Sequence, residues 1–175
     1  MSIEIFYINF IPESHHYHMK LNYDVVIVGG GLAGLTLSLQ LIQSRPELSV
    51  LVLEKRKKDA AKAAHKVGES TVELGTYYLR EVLDLKDYLD QYQLPKHGLR
   101  FFFSPQHKDK LHRRVELGPR EFLPVPSHQI DRGIFENDLI EMLQEKGVSV
   151  RLDAHVKDLH LNSDSTHITT FRANK

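Results

Sequence analysis

The run Tyr23-Asp24-Val25-Val26-Ile27-Val28-Gly29-Gly30-Gly31-Leu32-Ala33-Gly34 constrains this chain more than any other stretch. Val25 to Val28 is short, apolar and rich in β-branched residues, which reads as a strand buried on both faces. Gly29, Gly31 and Gly34 follow in the spacing G-x-G-x-x-G. Leu32, Leu35, Leu37, Leu39, Leu41 and Ile42 then give an apolar helix reaching Ser44. Each glycine has a physical task in such a turn. Gly29 lets the chain leave the strand sharply, Gly31 bares the backbone to a pyrophosphate, and Gly34 lets the helix close on the strand. The helix start, at Leu32 and Ala33, offers unpaired N–H groups and the positive end of a dipole.

The context supports this reading. A second strand, Ser49 to Leu53, ends in Glu54, where a ribose-binding carboxylate is expected. Val25 to Ile42 carries no charge, so a membrane span is the competing reading. Three consecutive glycines, Thr36, Ser38, Gln40 and the missing flanking charge bias argue against it. The even balance of 23 basic and 23 acidic residues leaves no electrostatic footprint for nucleic acid. The absence of cysteine excludes disulfides, thiolate metal sites and a cysteine nucleophile, and agrees with a cytoplasmic setting.

Residues 1–20 read as an N-terminal extension without fixed structure, and residues 21–175 as the N-terminal part of a dinucleotide-binding domain. Met19 is a natural start, so residues 1–18 are expected to be dispensable for folding. His15, His16 and His18 read as part of the tail rather than as a metal site. After Glu54 the basic run Lys55-Arg56-Lys57-Lys58 reads first as a solvated loop, with Lys55 placed to neutralise cofactor phosphate. In His65-Lys66-Val67-Gly68-Glu69-Ser70-Thr71, Ser70 and Glu73 have capping-box spacing. A helix is expected there, with Leu74, Tyr78, Leu79 and Val82 on its apolar face. Asp131 is a cap for a helix that runs to Lys146 and is closed by Gly147. Ile134, Phe135, Leu139, Ile140 and Leu143 give that helix a core face. Val148 to Leu152 reads as a third parallel strand. Val156 to Leu161 and Thr166 to Phe171 read as a hairpin.

The glycine turn, Glu54 and Val67-Gly68-Glu69-Ser70-Thr71, in this order, resemble the N-terminal part of an FAD-dependent monooxygenase of the flavin-dependent halogenase type. The likeness covers about Tyr23 to Phe171. It implies an α/β, Rossmann-like FAD-binding domain of the p-hydroxybenzoate hydroxylase type. That fold is a three-layer one, with a parallel sheet and an antiparallel β-crossover. Geranylgeranyl-reductase-like enzymes share it. The resemblance implies FAD as cofactor and places Gly68, Glu69 and Ser70 beside the flavin. It sets Arg132, in Asp131-Arg132-Gly133-Ile134-Phe135-Glu136-Asn137-Asp138-Leu139, near the cofactor, and Val156 near the adenine. It aligns Lys96, ahead of Arg100-Phe101, with the lysine that delivers electrophilic halogen in tryptophan halogenases. A primary amine on a flexible stem suits that task.

Family members are much longer than this chain. Their downstream Gly-Asp motif and substrate domain are missing here, and Trp-x-Trp-x-Ile-Pro is excluded by the lack of tryptophan. The domain is therefore expected to be incomplete, with an unpaired sheet edge, weak stability and weak FAD binding by this chain alone. The partners implied are an organic small-molecule substrate, a halide, a flavin reductase and a separately encoded C-terminal half. Neither nucleic acid nor membrane is implied. Two other readings fit the same residues: a non-catalytic dinucleotide-binding piece or half of a split enzyme, and a geranylgeranyl-reductase-like flavoenzyme.

Overall fold

The computed structural model describes residues 5–10, 20–57, 66, 68–104, 106, 108–122, 124, 126–161 and 166–173. In chain order the elements begin with strands β1 (Ile5–Phe10), β2 (Lys20–Tyr23) and β3 (Val25–Val28), helix α1 (Leu32–Ser44) and strand β4 (Val50–Leu53). Helix α2 (Glu73–Tyr77) continues into a π-helical turn, Tyr78–Val82, and is followed by α3 (Lys86–Tyr92). Strands β5 (Leu94–Lys96), β6 (Phe101–Phe103), β7 (Val115–Leu117) and β8 (Ser127–Gln129) come next. Helix α4 (Arg132–Glu145) and strands β9 (Ser149–Arg151), β10 (Ala154–His160) and β11 (Thr166–Ala173) complete the chain. Two compact units result: residues 1–66 with 132–175, and residues 67–131.

In the first unit β3, β4 and β9 form a parallel sheet with β4 in the middle. Val50-Leu51-Val52-Leu53 is buried throughout, as a continuous apolar run demands of a strand flanked on both sides. Leu35 and Leu39 of α1 and Phe135, Leu139 and Leu143 of α4 are fully buried. Each contributes roughly 1.5–3 kcal/mol on leaving water. Tyr23, Val26 and Val156 pack against a second cluster made by Leu51, Leu53 and Ala154. A second sheet, in the order β10-β11-β1-β2, carries the antiparallel hairpin β10–β11. Helices, parallel sheet and antiparallel crossover are the layers expected from the sequence. Gly147 closes α4 as anticipated. Its N–H donates to the Gln144 carbonyl at 3.0 Å and the Val148 N–H donates to that of Leu143 at 2.9 Å, the paired bonds of a Schellman end.

Two expectations are corrected in this unit. Strand β3 is not buried on both faces, because it lies at the sheet edge and Val28, at its carboxyl end, is 55% exposed. Residues 1–20 are not all outside the fold. Ile5–Phe10 form β1, parallel to β11 and antiparallel to β2. Removing that strand would take a member with neighbours on both sides out of the sheet, so deletion of residues 1–18 is expected to destabilise the fold. The reason is propensity: Ile-Phe-Tyr-Ile-Asn-Phe is an aromatic and β-branched run. His15, His16 and His18 lie outside the described residues.

The second unit has a small core of Leu79, Leu83, Leu85, Leu89 and Ile130. Strand β5 pairs with β8 and β6 with β7, both antiparallel. Its first helix departs from expectation. Helix α2 follows Val72, which gives no side-chain cap, and the Ser70 hydroxyl instead accepts a bond from Lys96 Nζ at 2.7 Å. The apolar face is also narrower, since Leu74 is 78% exposed and Val82 is exposed too. No helix among the described residues is long and apolar enough to cross a membrane.

His128 is buried in this core, and neither ring nitrogen has a hydrogen-bond partner among the described residues. Asp90 Oδ1 lies 3.7 Å from Nε2, beyond hydrogen-bond reach. Burial holds the imidazole pKa below its ordinary value, and the Arg80 charge lowers it further against the opposing pull of Asp90. The folded chain thus takes up this proton less readily than the unfolded chain. Stability is complete above about pH 6.5 and declines as pH falls through that value toward the folded pKa. The urea midpoint of the wild-type chain should drop between about pH 7.5 and about pH 5.5, and His128→Leu should remove most of that drop. An undiminished drop in the variant would assign the acid sensitivity to other groups.

Candidate dinucleotide site

The sequence places the glycine turn between β3 and α1, and the structure shows what each glycine does there. Gly29 has φ +112°, a conformation unfavourable for other residues, and its N–H donates to the Leu53 carbonyl at 2.8 Å. A Cβ at Gly34 would overlap the Gly29 carbonyl oxygen, so the helix start is in direct contact with the turn. Among the described residues, a Cβ at Gly31 would meet only Arg132 Nη2, at 3.9 Å. The backbone at Gly31 is bare, as approach of a pyrophosphate requires.

Glu54 stands at the carboxyl end of β4. Its backbone is fixed on both sides: its N–H donates to the Arg151 carbonyl at 2.8 Å, and its carbonyl accepts from Ala154 at 2.9 Å. Its carboxylate accepts from the Gly30 N–H at 2.6 Å and from the Arg56 N–H at 2.7 Å. A Cβ at Gly30 would come within 2.8 Å of Glu54 Cβ, so this middle glycine is also required. Sequence reasoning passed over it because the motif leaves that position open, although three glycines in a row are a visible signal. Gly29, Glu54, Lys55 and Val156 line one cleft of about 310 Å³, together with Val28, Leu53, Ala154 and His155. The residue expected beside the ribose and the residue expected beside the adenine thus share one cleft, which suits the adenosine half of a dinucleotide.

Arg132, the first residue of α4, bonds to Glu136 Oε1 one turn on, at 2.6 Å from Nη2 and 3.1 Å from Nε. The same oxygen accepts the N–H of Leu32, the first residue of α1, at 3.1 Å. Lys66 Nζ bonds to Oε2. Glu136 is 1% exposed. A carboxylate this deeply buried needs such partners to hold its charge. Neither Lys66 nor the role of Glu136 was visible in the sequence, because their pairing spans 70 positions. Ala33, at the start of α1, is exposed.

Gly68, Glu69, Ser70 and Lys96 come together in the second unit. The Glu69 carbonyl accepts from the Ile130 N–H at 2.8 Å and Ser70 bridges to Gln129, so this loop runs along β8. Thr71 fixes its end: its N–H donates to the His128 carbonyl at 2.9 Å and its Oγ1 accepts from the His128 N–H at 2.7 Å. Lys96, on β5, reaches the loop through Ser70 Oγ and the Thr71 carbonyl. Lys96 also lines a cleft of about 300 Å³ with Thr71, Val72, Glu73, Gly98, Leu99 and Pro119.

A family model described as an FAD binding domain matches residues 22–175. The flavin-dependent halogenase chlA of Dictyostelium discoideum is 33% identical over 132 residues, which is 72% of this chain and 22% of that protein. A mitochondrial L-2-hydroxyglutarate dehydrogenase of Homo sapiens is 42% identical over 67 residues, 37% of this chain and 14% of that protein. The solved structure of the halogenase PltM in complex with phloroglucinol and FAD superposes with a TM-score of 0.61 at 22% identity, over 81% of this chain and 30% of that one. This chain therefore spans about a fifth of the length of its halogenase relative. The family match begins one residue ahead of Tyr23, takes in the glycine turn and runs to Lys175. The chain belongs to the FAD-binding domain family.

Proposed function

We propose that this chain supplies the dinucleotide-holding part of an FAD-dependent monooxygenase of the halogenase type, acting on an organic small molecule with halide. One observation carries the halogenase reading: Lys96 Nζ is held 2.7 Å from Ser70 Oγ, on the loop that the family places beside the flavin. An ammonium anchored there and facing a cleft is a suitable donor to an oxidised halogen. Bound FAD supplies the oxidising chemistry with dioxygen. The chain's own residues do the rest. The first turn of α1 and Arg132 hold the diphosphate, Glu54 accepts from ribose hydroxyls, and the Gly68–Thr71 loop fixes the position of Lys96.

The test is to add FAD to the purified chain, desalt it and record the visible spectrum. The retained holoprotein is then given reduced flavin, halide and a phenol. The chain alone is expected to retain FAD weakly, and a halogenated phenol is expected once the chain is joined to the downstream part of its halogenase relative. Lys96→Ala should keep the flavin and lose at least about a hundredfold in product, the scale seen when a covalent or acid–base group is removed. Hydroxylated product, with the same yield from wild type and Lys96→Ala, would overturn the halogenase reading in favour of a hydroxylase.

A further inference from the structure

Lys96 is anchored on a loop that is itself gripped by a buried histidine. Lys96 Nζ donates to Ser70 Oγ at 2.7 Å and to the Thr71 carbonyl. Thr71 is bonded to the backbone of His128 on both sides of its own Cα. Its N–H and its hydroxyl reach the His128 carbonyl, at 2.9 and 2.7 Å, and its Oγ1 accepts the His128 N–H at 2.7 Å. Buried Thr76 shares that hydroxyl at 2.7 Å. Direct contacts therefore run from the His128 backbone to the Lys96 ammonium, and every member belongs to the second unit.

The His128 ring is the variable part of this chain of contacts. It is 1% exposed, and neither nitrogen has a partner among the described residues. A proton makes both nitrogens donors and adds a charge, which a buried site tolerates only with an acceptor. The charged groups toward the ring are Asp90 of α3 and Arg80 of the π-helical turn. Arg80 and Lys86 both hold Asp90, and Glu81 stands 4.0 Å from Arg80. On β5 the titratable group is Lys96, whose ammonium is on Thr71; on α2, Glu73 and Tyr77 are exposed. Asp90 is thus the anionic acceptor in reach, with Oδ1 3.7 Å from Nε2. Closing that gap to a charge-assisted bond moves the ring by about 1 Å. The ring is one bond away from the backbone that grips Thr71.

We infer that His128 is a positioning residue for Lys96, and that a proton on its ring loosens the grip on Thr71 and frees the ammonium from its anchor. This is regulation of the proposed Lys96 site. Its meaning for catalysis rests on that reading, whereas the mechanical coupling is measured without catalysis. Above about pH 6.5 the ring is neutral and Thr71 is gripped; as pH falls below that value the ring charges and Lys96 is released.

The full chain, isotope-labelled on its amides and at lysine Cε, would be followed by NMR between about pH 8 and about pH 5, a range that brackets ordinary histidine titration. In the wild type the His128 ring should titrate. Across that titration the hydrogen-exchange protection of the Thr71 amide should fall about tenfold, the scale of one lost hydrogen bond. Lys96 Cε should gain mobility toward that of exposed Lys146. The Leu89 amide, bonded within α3 to the Leu85 carbonyl, should keep its protection and so separates local release from global opening. His128→Leu should hold Thr71 and Lys96 at their neutral-pH behaviour throughout. Thr71→Val should leave Lys96 mobile at every pH, and Thr71→Ser, which keeps the hydroxyl, should restore the pH dependence. A ring that stays neutral over the whole range would overturn the inference, as would unchanged Thr71 and Lys96 signals across its titration. Equal loss of protection at Leu89, or an acid response that persists in His128→Leu, would overturn it too. The wild-type arm decides even if a variant fails to fold. Coupling seen here, together with equal product from wild type and Lys96→Ala, would uphold the inference and reject the halogenase reading alone.

Discussion

Gly34→Ala should destabilise the ligand-free chain by about 3 kcal/mol or more and abolish retention of FAD. In an ordinary helix the same change is stabilising by up to about 1 kcal/mol. Here the new methyl would overlap the Gly29 carbonyl, which is backbone and cannot rotate away. The turn has no slack either, because the Gly29 N–H is held on the Leu53 carbonyl. The helix start must lift off the strand, carrying with it the first turn of α1 that is proposed to hold the diphosphate. Gly75, in α2, is the internal control. A Cβ there meets nothing within 4 Å among the described residues, so Gly75→Ala should be neutral or mildly stabilising. Urea melts of the two variants decide the point. Equal midpoints for Gly34→Ala and wild type would show that the contact is not rigid.

Glu54→Ala should weaken FAD about a hundredfold. One carboxylate makes two separate contributions. It holds the glycine turn through the Gly30 N–H and its own loop through the Arg56 N–H, and it faces the cleft shared with Val156. Removing it leaves the Gly30 and Arg56 amides without that partner and takes away the proposed acceptor for ribose hydroxyls. Bonds to a charged group are worth about 1.5–3 kcal/mol each, so loss of the ribose contact and loosening of the turn together reach this scale. Glu54→Gln keeps one acceptor oxygen and should fall between. Fluorescence titration of the three proteins would measure it. Equal affinity of Glu54→Ala and wild type would place the ribose elsewhere.

The first unit was legible in the sequence wherever its contacts are local. Val25–Val28, the glycine turn, α1, β4 and Glu54 follow one another within about thirty positions, and each carries its own signal. The end of α4 was readable for the same reason, since Gly147 and Val148 bond back to the nearby carbonyls of Gln144 and Leu143. Errors arose where a distant partner outbids a local signal. Ser70 and Glu73 have capping spacing, but the Ser70 hydroxyl is engaged by Lys96 from β5. Ile5–Phe10 takes its parallel partner from β11, far along the chain, which no local signal announces. Glu136 looked like one more polar residue on a helix. Only the fold reveals that Leu32, Lys66 and Arg132 converge on it.

The place of β1 between β2 and β11 also governs the order in which the molecule can be built. Ile5 stands opposite Thr166, so β1 is synthesised well before its parallel neighbour. Until β11 has been synthesised, one side of an apolar, aromatic strand stays open while the rest of the domain condenses. Pairings this distant in sequence form slowly, and a strand left waiting with a bare edge is a site for contacts with other nascent chains. Closure of this second sheet therefore waits on β11, long after the glycine turn and its partner strand β4 have been synthesised.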